Sequence, residues 1–259
     1  MKIVLYSDLH LEFDYFPIDQ GIKADVLVLA GDIAPVATHK RSLYDFIQNA
    51  LKEYKDVVYV PGNHEYYEGD FQEVNDIITG WGESHDGLHT LIAGESVIID
   101  GITFIGGTMW SDLSNPMEAL SVESRMNDFH IIYNGVGYGG HKKSRWTARD
   151  ATMVYTQTKN KIFDHLMAQT SDELEKTVVV THHTPSFQSV HTRFAGDPCN
   201  PGYCSNLDNH VALVPPKYWL HGHVHNTMNY MIETCNVRAN PKGYYGENNR
   251  FDSKYILEI

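Results

Sequence analysis

The chain has 259 residues, room for one large α/β domain or two small ones with a sizeable core. It carries 33 acidic against 20 basic residues, a formal net charge of −13 at pH 7, which speaks against sequence-nonspecific binding of duplex nucleic acid, a task that needs a basic face. Cys199, Cys204 and Cys235 form no complete disulfide framework. The N-terminal apolar stretch is too short for a signal peptide, and no run approaches the roughly 20 apolar residues of a membrane span, so a soluble, cytoplasmic protein that avoids membranes is expected.

In chain order, residues 3–6 read as a strand running to Asp8, and the apolar run Val26-Leu27-Val28-Leu29-Ala30 as the next. Five apolar residues without polar alternation suit a central parallel strand buried on both faces. That strand ends on Gly31-Asp32, and a carboxylate there needs a partner, because an unpaired buried charge is costly. Asp32 is read as a carboxylate shared by two metal ions at the carboxyl ends of the strands, where open α/β sheets bind ligands. Residues 38–54 carry an apolar stripe at helical spacing, with Thr38 as N-cap, and residues 57–60 form a short strand. A second helix is predicted over 70–81, closed by Gly82. Three β segments follow between 88 and 106, divided at Gly94 and at the hairpin signal Asp100-Gly101.

Residues 108–143 lose periodicity and are expected to form an insertion or cap over the crevice. A long helix is predicted over 144–170, a strand over 178–180, a Pro-, Gly- and aromatic-rich loop over 184–206, a short helix over 207–213 and a strand over 218–220. Segments 227–233 and 254–259 are expected to close the sheet. Helices separate strands early and β segments dominate late. This predicts an α/β protein built as a four-layer αββα sandwich of two mixed β-sheets flanked by helices, one domain over 1–259.

Chemistry-bearing residues gather at the predicted strand ends. Asp8-Leu9-His10 offers two ligand types at i and i+2, which share one face of an extended chain. In Gly62-Asn63-His64-Glu65, Asn63 can give a metal a neutral oxygen while His64 stays free for proton chemistry. His182-His183 and His223-Val224-His225 follow apolar strands. Each motif alone is equally a polar turn or a hydrogen-bonded core histidine; five such segments together point to a metal centre.

Asp8-x-His10, Gly31-Asp32, Gly62-Asn63-His64-Glu65, His182 and Gly222-His223-Val224-His225 resemble the calcineurin-like metallophosphoesterase signature, in order and complete. The segments Thr108 to Asp112, Met126 to Asp128, His182 to Ser186, Arg193 to Pro198 and Asn240 to Tyr244 are similar to those of small bacterial and phage-type members. The resemblance implies a dinuclear centre: Asp8, His10, Asp32 and His225 on one ion, and Asp32, Asn63, His182 and His223 on the other. His64 is then the non-ligand histidine facing the substrate.

The expected chemistry is in-line attack on phosphorus by a bridging hydroxide, with the two ions clamping the phosphoryl group and His64 protonating the leaving oxygen. Asp32 and His64 are thus the catalytic candidates, and Asn63, His64 and Arg193 the substrate-binding ones. The mixed N/O donors suit Mn, Fe, Zn, Co or Ni. Tyr66, Tyr67, Trp110, Phe187, Phe194 and Tyr203 are candidates to line the pocket. The expected substrate is a small or nucleotide-like phosphoester, with a lean toward diesters. A protein Ser/Thr phosphatase is the alternative enzyme, although Pro35 stands where such phosphatases carry an acid, which leaves His64 without an identified orienting partner. A metal-binding scaffold without catalysis is the non-enzymatic alternative.

Overall fold

The computed structural model describes residues 1–18, 21–136 and 143–259. Two large sheets lie face to face. The first has the order β13-β1-β2-β3-β4, from β1 (Lys2–Tyr6), β2 (Val26–Ala30), β3 (Asp56–Val60), β4 (Leu88–Thr90) and β13 (Ile256–Glu258). The second has the order β11-β12-β10-β9-β6-β5, from β5 (Ala93–Ile99), β6 (Ile102–Gly107), β9 (Thr177–Thr181), β10 (Tyr218–His221), β11 (Met228–Ile232) and β12 (Cys235–Ala239). In the first sheet β1 to β4 run parallel and β13 is the antiparallel edge; in the second the central strands are parallel and β5 and β11 are antiparallel edges.

Strand alternation sorts the side chains into layers. Ile3, Leu5, Val26, Val28, Val58 and Val60 of the first sheet meet Phe104, Val178, Val180 and Leu220 of the second in one buried seam. The alternate residues Val4, Leu27, Leu29 and Val57 turn outward onto α1 (Val36–Glu53) and α2 (Phe71–Ser84), whose Leu43, Ile47, Val74 and Ile78 are buried. On the far side, α5 (Ala148–Met167) buries Tyr155, Ile162 and Leu166 in the same cluster as Ile105, Val179 and Trp219. Each fully buried Leu, Ile or Val contributes about 1.5–3 kcal/mol. The expected α/β sandwich of two mixed sheets flanked by helices is therefore the observed architecture.

Several local expectations are corrected. The first helix begins at Val36 after Pro35, with no side-chain cap, and Thr38 Oγ1 instead lies 2.9 Å from His39 Nδ1. Gly82 lies inside α2, which runs to Ser84; it faces Thr90, so the missing side chain lets β4 pack close. Gly94 marks a bulge within β5 rather than a break. The long helix starts at Ala148 because Thr147 and Asp150 form a capping box there. The segment 254–259 supplies β13, which pairs antiparallel with β1 in the first sheet, and β12, unread in the sequence, takes the place beside β10.

Between β6 and α5 the chain forms α3 (Pro116–Glu123), α4 (Asp128–Ile131) and a small ribbon of β7 (Tyr133–Val136) and β8 (Lys143–Arg145). Of the segment expected as a cap, 137–142 lies outside the described residues. Short helices α6 (Ser171–Leu174), α7 (Asn200–Tyr203) and α8 (Asp208–Leu213) complete the chain. Among the described residues no helix is long and apolar enough to cross a membrane.

Candidate metal centre

The carboxyl ends of β1, β2 and β3 from one sheet and of β9 and β10 from the other converge on one point. Asp8, His10, Asp32 and His225 present ligand atoms that all lie within 4.8 Å of one another, and so do Asp32, His182 and His223. Asp32 belongs to both groups. Asn63 joins the second through Oδ1, 3.0 Å from His182 Nε2.

The backbone that delivers these side chains is strained. Asp8, His10, Asp32, His223 and His225 all have left-handed φ, between 47° and 72°. Such conformations cost an L-residue roughly 1–2 kcal/mol and gather at functional sites. This corrects the extended-chain rationale for Asp8 and His10: left-handed turns bring them together, not strand alternation. Glycines provide the space. A side chain at Gly31 would collide with His182, and one at Gly62 with Asp32 and His182.

Backbone amides and carboxylates lock the loops. His223 N donates to Asp8 Oδ1 at 2.9 Å and His64 N donates to Asp32 Oδ1 at 2.8 Å. Glu65, fully buried, accepts from the amides of Asp32, Ile33 and Gly62 and from the Tyr59 hydroxyl, at 2.8–3.0 Å. Burial and the Asp32 charge push its carboxyl up to about 7.

The donor set fits divalent cations. His182 Nδ1 donates to the Ala30 carbonyl at 2.9 Å, which turns Nε2 toward Asp32 and Asn63, where a cation would take the place of its proton. His10 Nδ1 donates to Glu12 and His225 Nδ1 to Glu247, so their Nε2 atoms, 3.1 Å apart, both point into the first group. His223 Nε2 is buried with no hydrogen-bond partner, and burial beside His183 and His182 holds that ring well below the usual histidine range, hence neutral. The acidic field calls for positive charge. Against burial, Asp32 lifts His182 to about 9, and Asp8 with Glu247 lifts His225 to about 10. A neutral buried imidazole with an orphaned nitrogen, among carboxylates that attract protons to their neighbours, is suited to a cation.

His64 stands beside these groups, its Nε2 4.0 Å from Asp32 Oδ2. Its orienting partner is Glu12, which the sequence reading missed: Glu12 Oε1 accepts from His64 Nδ1 at 3.0 Å and from His10 Nδ1 at 3.1 Å. Burial raises the Glu12 carboxyl, but these two bonds outweigh it and hold it down at about 2. Asp128 does the same for Asn63, accepting from Asn63 Nδ2 and from the Tyr67 hydroxyl, both at 2.8 Å. His183 stays out of both groups; its Nδ1 lies 3.2 Å from the Thr108 carbonyl.

A cleft of about 370 Å³ opens over His64, Asp32 and His223. Tyr67, Phe194, Tyr203 and Tyr244 line it, as do Arg125 and Arg193, the latter at the exposed mouth. Tyr66 and Trp110 are buried in the core instead, and Phe187 is exposed outside the cleft lining.

The calcineurin-like phosphoesterase profile matches residues 1–227. An uncharacterized protein of Acanthamoeba polyphaga mimivirus is 27% identical over 287 residues, covering 100% of this chain and 97% of its own. The phosphopantetheinyl hydrolase of Mycobacterium tuberculosis superposes with a TM-score of 0.67 at 15% identity, covering 100% of this chain and 95% of that one, a likeness of fold. A dimetal phosphatase from Danio rerio gives a TM-score of 0.43 at 12% identity, over 92% of this chain and 86% of that one. With the family profile spanning most of its length and the Asp, Asn and His residues assembled at the strand ends, the chain belongs to the calcineurin-like phosphoesterase family and is a hydrolase of phosphoester bonds.

Proposed function

We propose that this phosphoesterase uses two divalent transition-metal ions to hydrolyse small, nucleotide-like phosphodiesters. The observation that carries the reading is the continuity of the ligand groups with His64 and a 370 Å³ cleft of small-molecule size, walled by aromatic side chains. Asp8, His10, Asp32 and His225 would hold one ion, and Asp32, Asn63, His182 and His223 the other. Bound there, such ions supply Lewis acidity to a phosphoryl oxygen and acidify water.

The chain's own residues do the rest. Glu12 takes the His64 Nδ1 proton in a hydrogen bond, which turns Nε2 toward the cleft to hand a proton to the leaving oxygen. Asp32 and Glu12 favour the protonated imidazole against burial, which acts the other way. Asp128 fixes the Asn63 amide so that its oxygen faces His182. Tyr67, with its ring centroid 4.1 Å from that of His64, keeps the imidazole from swinging outward. Tyr203 and Phe194 offer faces for a planar base.

The diester lean rests on the cleft, whose lining beside His64 includes Tyr203 and Phe194, side chains suited to a second esterified group on the phosphate. Hydrolysis of bis-p-nitrophenyl phosphate against p-nitrophenyl phosphate, by chelator-stripped protein reloaded with Mn, Ni, Zn or Mg, tests the reading. Metal-dependent diester cleavage is expected. Preferential cleavage of the monoester, or of a phosphopeptide panel, would overturn it in favour of a phosphatase.

A further inference from the structure

Two cations in the cleft have no task at the metal groups. Arg125 follows α3, and Arg193 sits in the loop before α7; both line the cleft and both are exposed. They are the only Lys or Arg residues among its described lining. Among the described residues neither guanidinium makes a hydrogen bond or an ion pair; Arg193 lies over the Phe194 ring, 4.6 Å from its centroid. The nearby acids hold their hydrogen bonds elsewhere: Glu247 to His225 at 2.6 Å, with the Arg193 charge a weaker influence on its carboxylate, Asp197 to the Cys199 amide at 2.8 Å, and Asp128 to Asn63 and Tyr67. In a chain of net charge −13, leaving two unpaired arginines in one cleft keeps them available to an anion.

The metal ligands and His64 come from strand ends, whereas Arg125 and Arg193 come from the segments that follow α3 and precede α7. Those two segments pack together: Met126, next to Arg125, is buried directly against Gly202 of α7, and Asn200 of α7 donates to the Phe194 carbonyl, next to Arg193, at 2.8 Å.

We propose that Arg125 and Arg193 form an anion subsite that recognises a second phosphate group of the substrate, distinct from the phosphate being cleaved. Guanidinium forks match phosphate oxygens bidentately, and Phe194 beneath Arg193 orients that fork. The preferred substrate is then a nucleotide diester carrying an additional terminal phosphate. This rests on the phosphodiesterase reading above.

The test uses a matched pair with one leaving group: thymidine 5′-(p-nitrophenyl phosphate) with and without a 3′-phosphate. In the metal-loaded wild type the 3′-phosphate should raise kcat/KM about tenfold or more, mainly through KM, as expected for one or more charge-assisted hydrogen bonds. In the R125A/R193A double variant that advantage should vanish, with Lys at both positions restoring part of it. An equal response to both esters in the wild type, or an advantage that survives in the double variant, overturns the subsite. Calorimetry of thymidine 3′,5′-bisphosphate against thymidine 5′-monophosphate, on protein with and without the two arginines, reads the subsite without turnover. Tighter bisphosphate binding that depends on the arginines supports it even where neither ester is cleaved, a result that would count against the phosphodiesterase reading alone; equal affinities overturn it.

Discussion

Glu12 Oε1 stands 3.0 Å from His64 Nδ1, across 52 residues of chain, and the same oxygen reaches His10 Nδ1. One carboxylate thus sets the ring orientation of both a metal-ligand candidate and the proposed proton donor. Glu12→Gln keeps the shape and loses the charge. Turnover should fall about 10–100-fold, as for other residues that orient ligands. Metal content by elemental analysis should stay near that of the wild type, and the alkaline limb of the pH–rate profile should move to lower pH, because Glu12 helps hold His64 protonated. Unchanged kinetics would remove Glu12 from the mechanism.

His64→Ala removes the proposed proton donor and none of the proposed ligands. Loss of general acid catalysis costs about 10²–10⁴-fold, and the loss should be larger for an alkyl or nucleoside leaving group than for nitrophenolate, which departs without protonation. Comparing the two leaving groups on the same variant checks this; equal losses would point to a structural defect.

Asp32 contributes to both ligand groups. Asp32→Asn should therefore lower occupancy at both sites together, whereas His225→Ala should affect the first group more than the second. Metal stoichiometry after dialysis against a weak chelator separates the two patterns.

At Gly62 a new methyl group would meet Asp32 and His182 at once. Gly62→Ala should abolish metal binding and lower the melting temperature, since the surrounding loops are tied by buried hydrogen bonds to Glu65. A variant that binds metal like the wild type would show that those loops can yield.

Burial pushes the thiols of Cys204 and Cys235 up to about 12, from about 8.5 in an unfolded chain. The unfolded state therefore loses these protons first as pH rises. The stability they lend is complete below about pH 8.5 and declines between there and about pH 12. Thermal melts from pH 8 to 11 should show the decline, less steeply when both are replaced by Ser or Ala. In native protein at pH 8 a thiol reagent should label half-buried Cys199 and spare the two buried thiols, all three reacting in denaturant.

The central strands were legible because their sequences permit little else. Val26 to Ala30 is apolar throughout, and the strand occupies those residues. Strand β12 escaped because Asn236 and Arg238 interrupt its apolar residues, although Cys235, Val237 and Ala239 alternate inward. The ligand candidates announced themselves as Asp, Asn and His at the ends of apolar runs. Glu12, Asp128 and Glu247 did not, because none follows a strand and each acts on a residue far away in the chain. For Glu12 a hint existed in the spacing Asp8-x-His10-x-Glu12. Nothing in the local sequence tied Arg125 to Arg193, which the fold brings to the lining of one cleft.

The ligand candidates are divided between the sheets: Asp8, His10, Asp32 and Asn63 follow strands of the first, and His182, His223 and His225 follow strands of the second. A cation held among them is a rivet through the sandwich, fastened at one end of a largely apolar seam. Its free energy of binding adds to the cohesion of the two halves. Stripping it should quicken amide exchange along β2 and β9, far beyond the residues that touched it, so that an ion proposed as reagent would serve also as fastener.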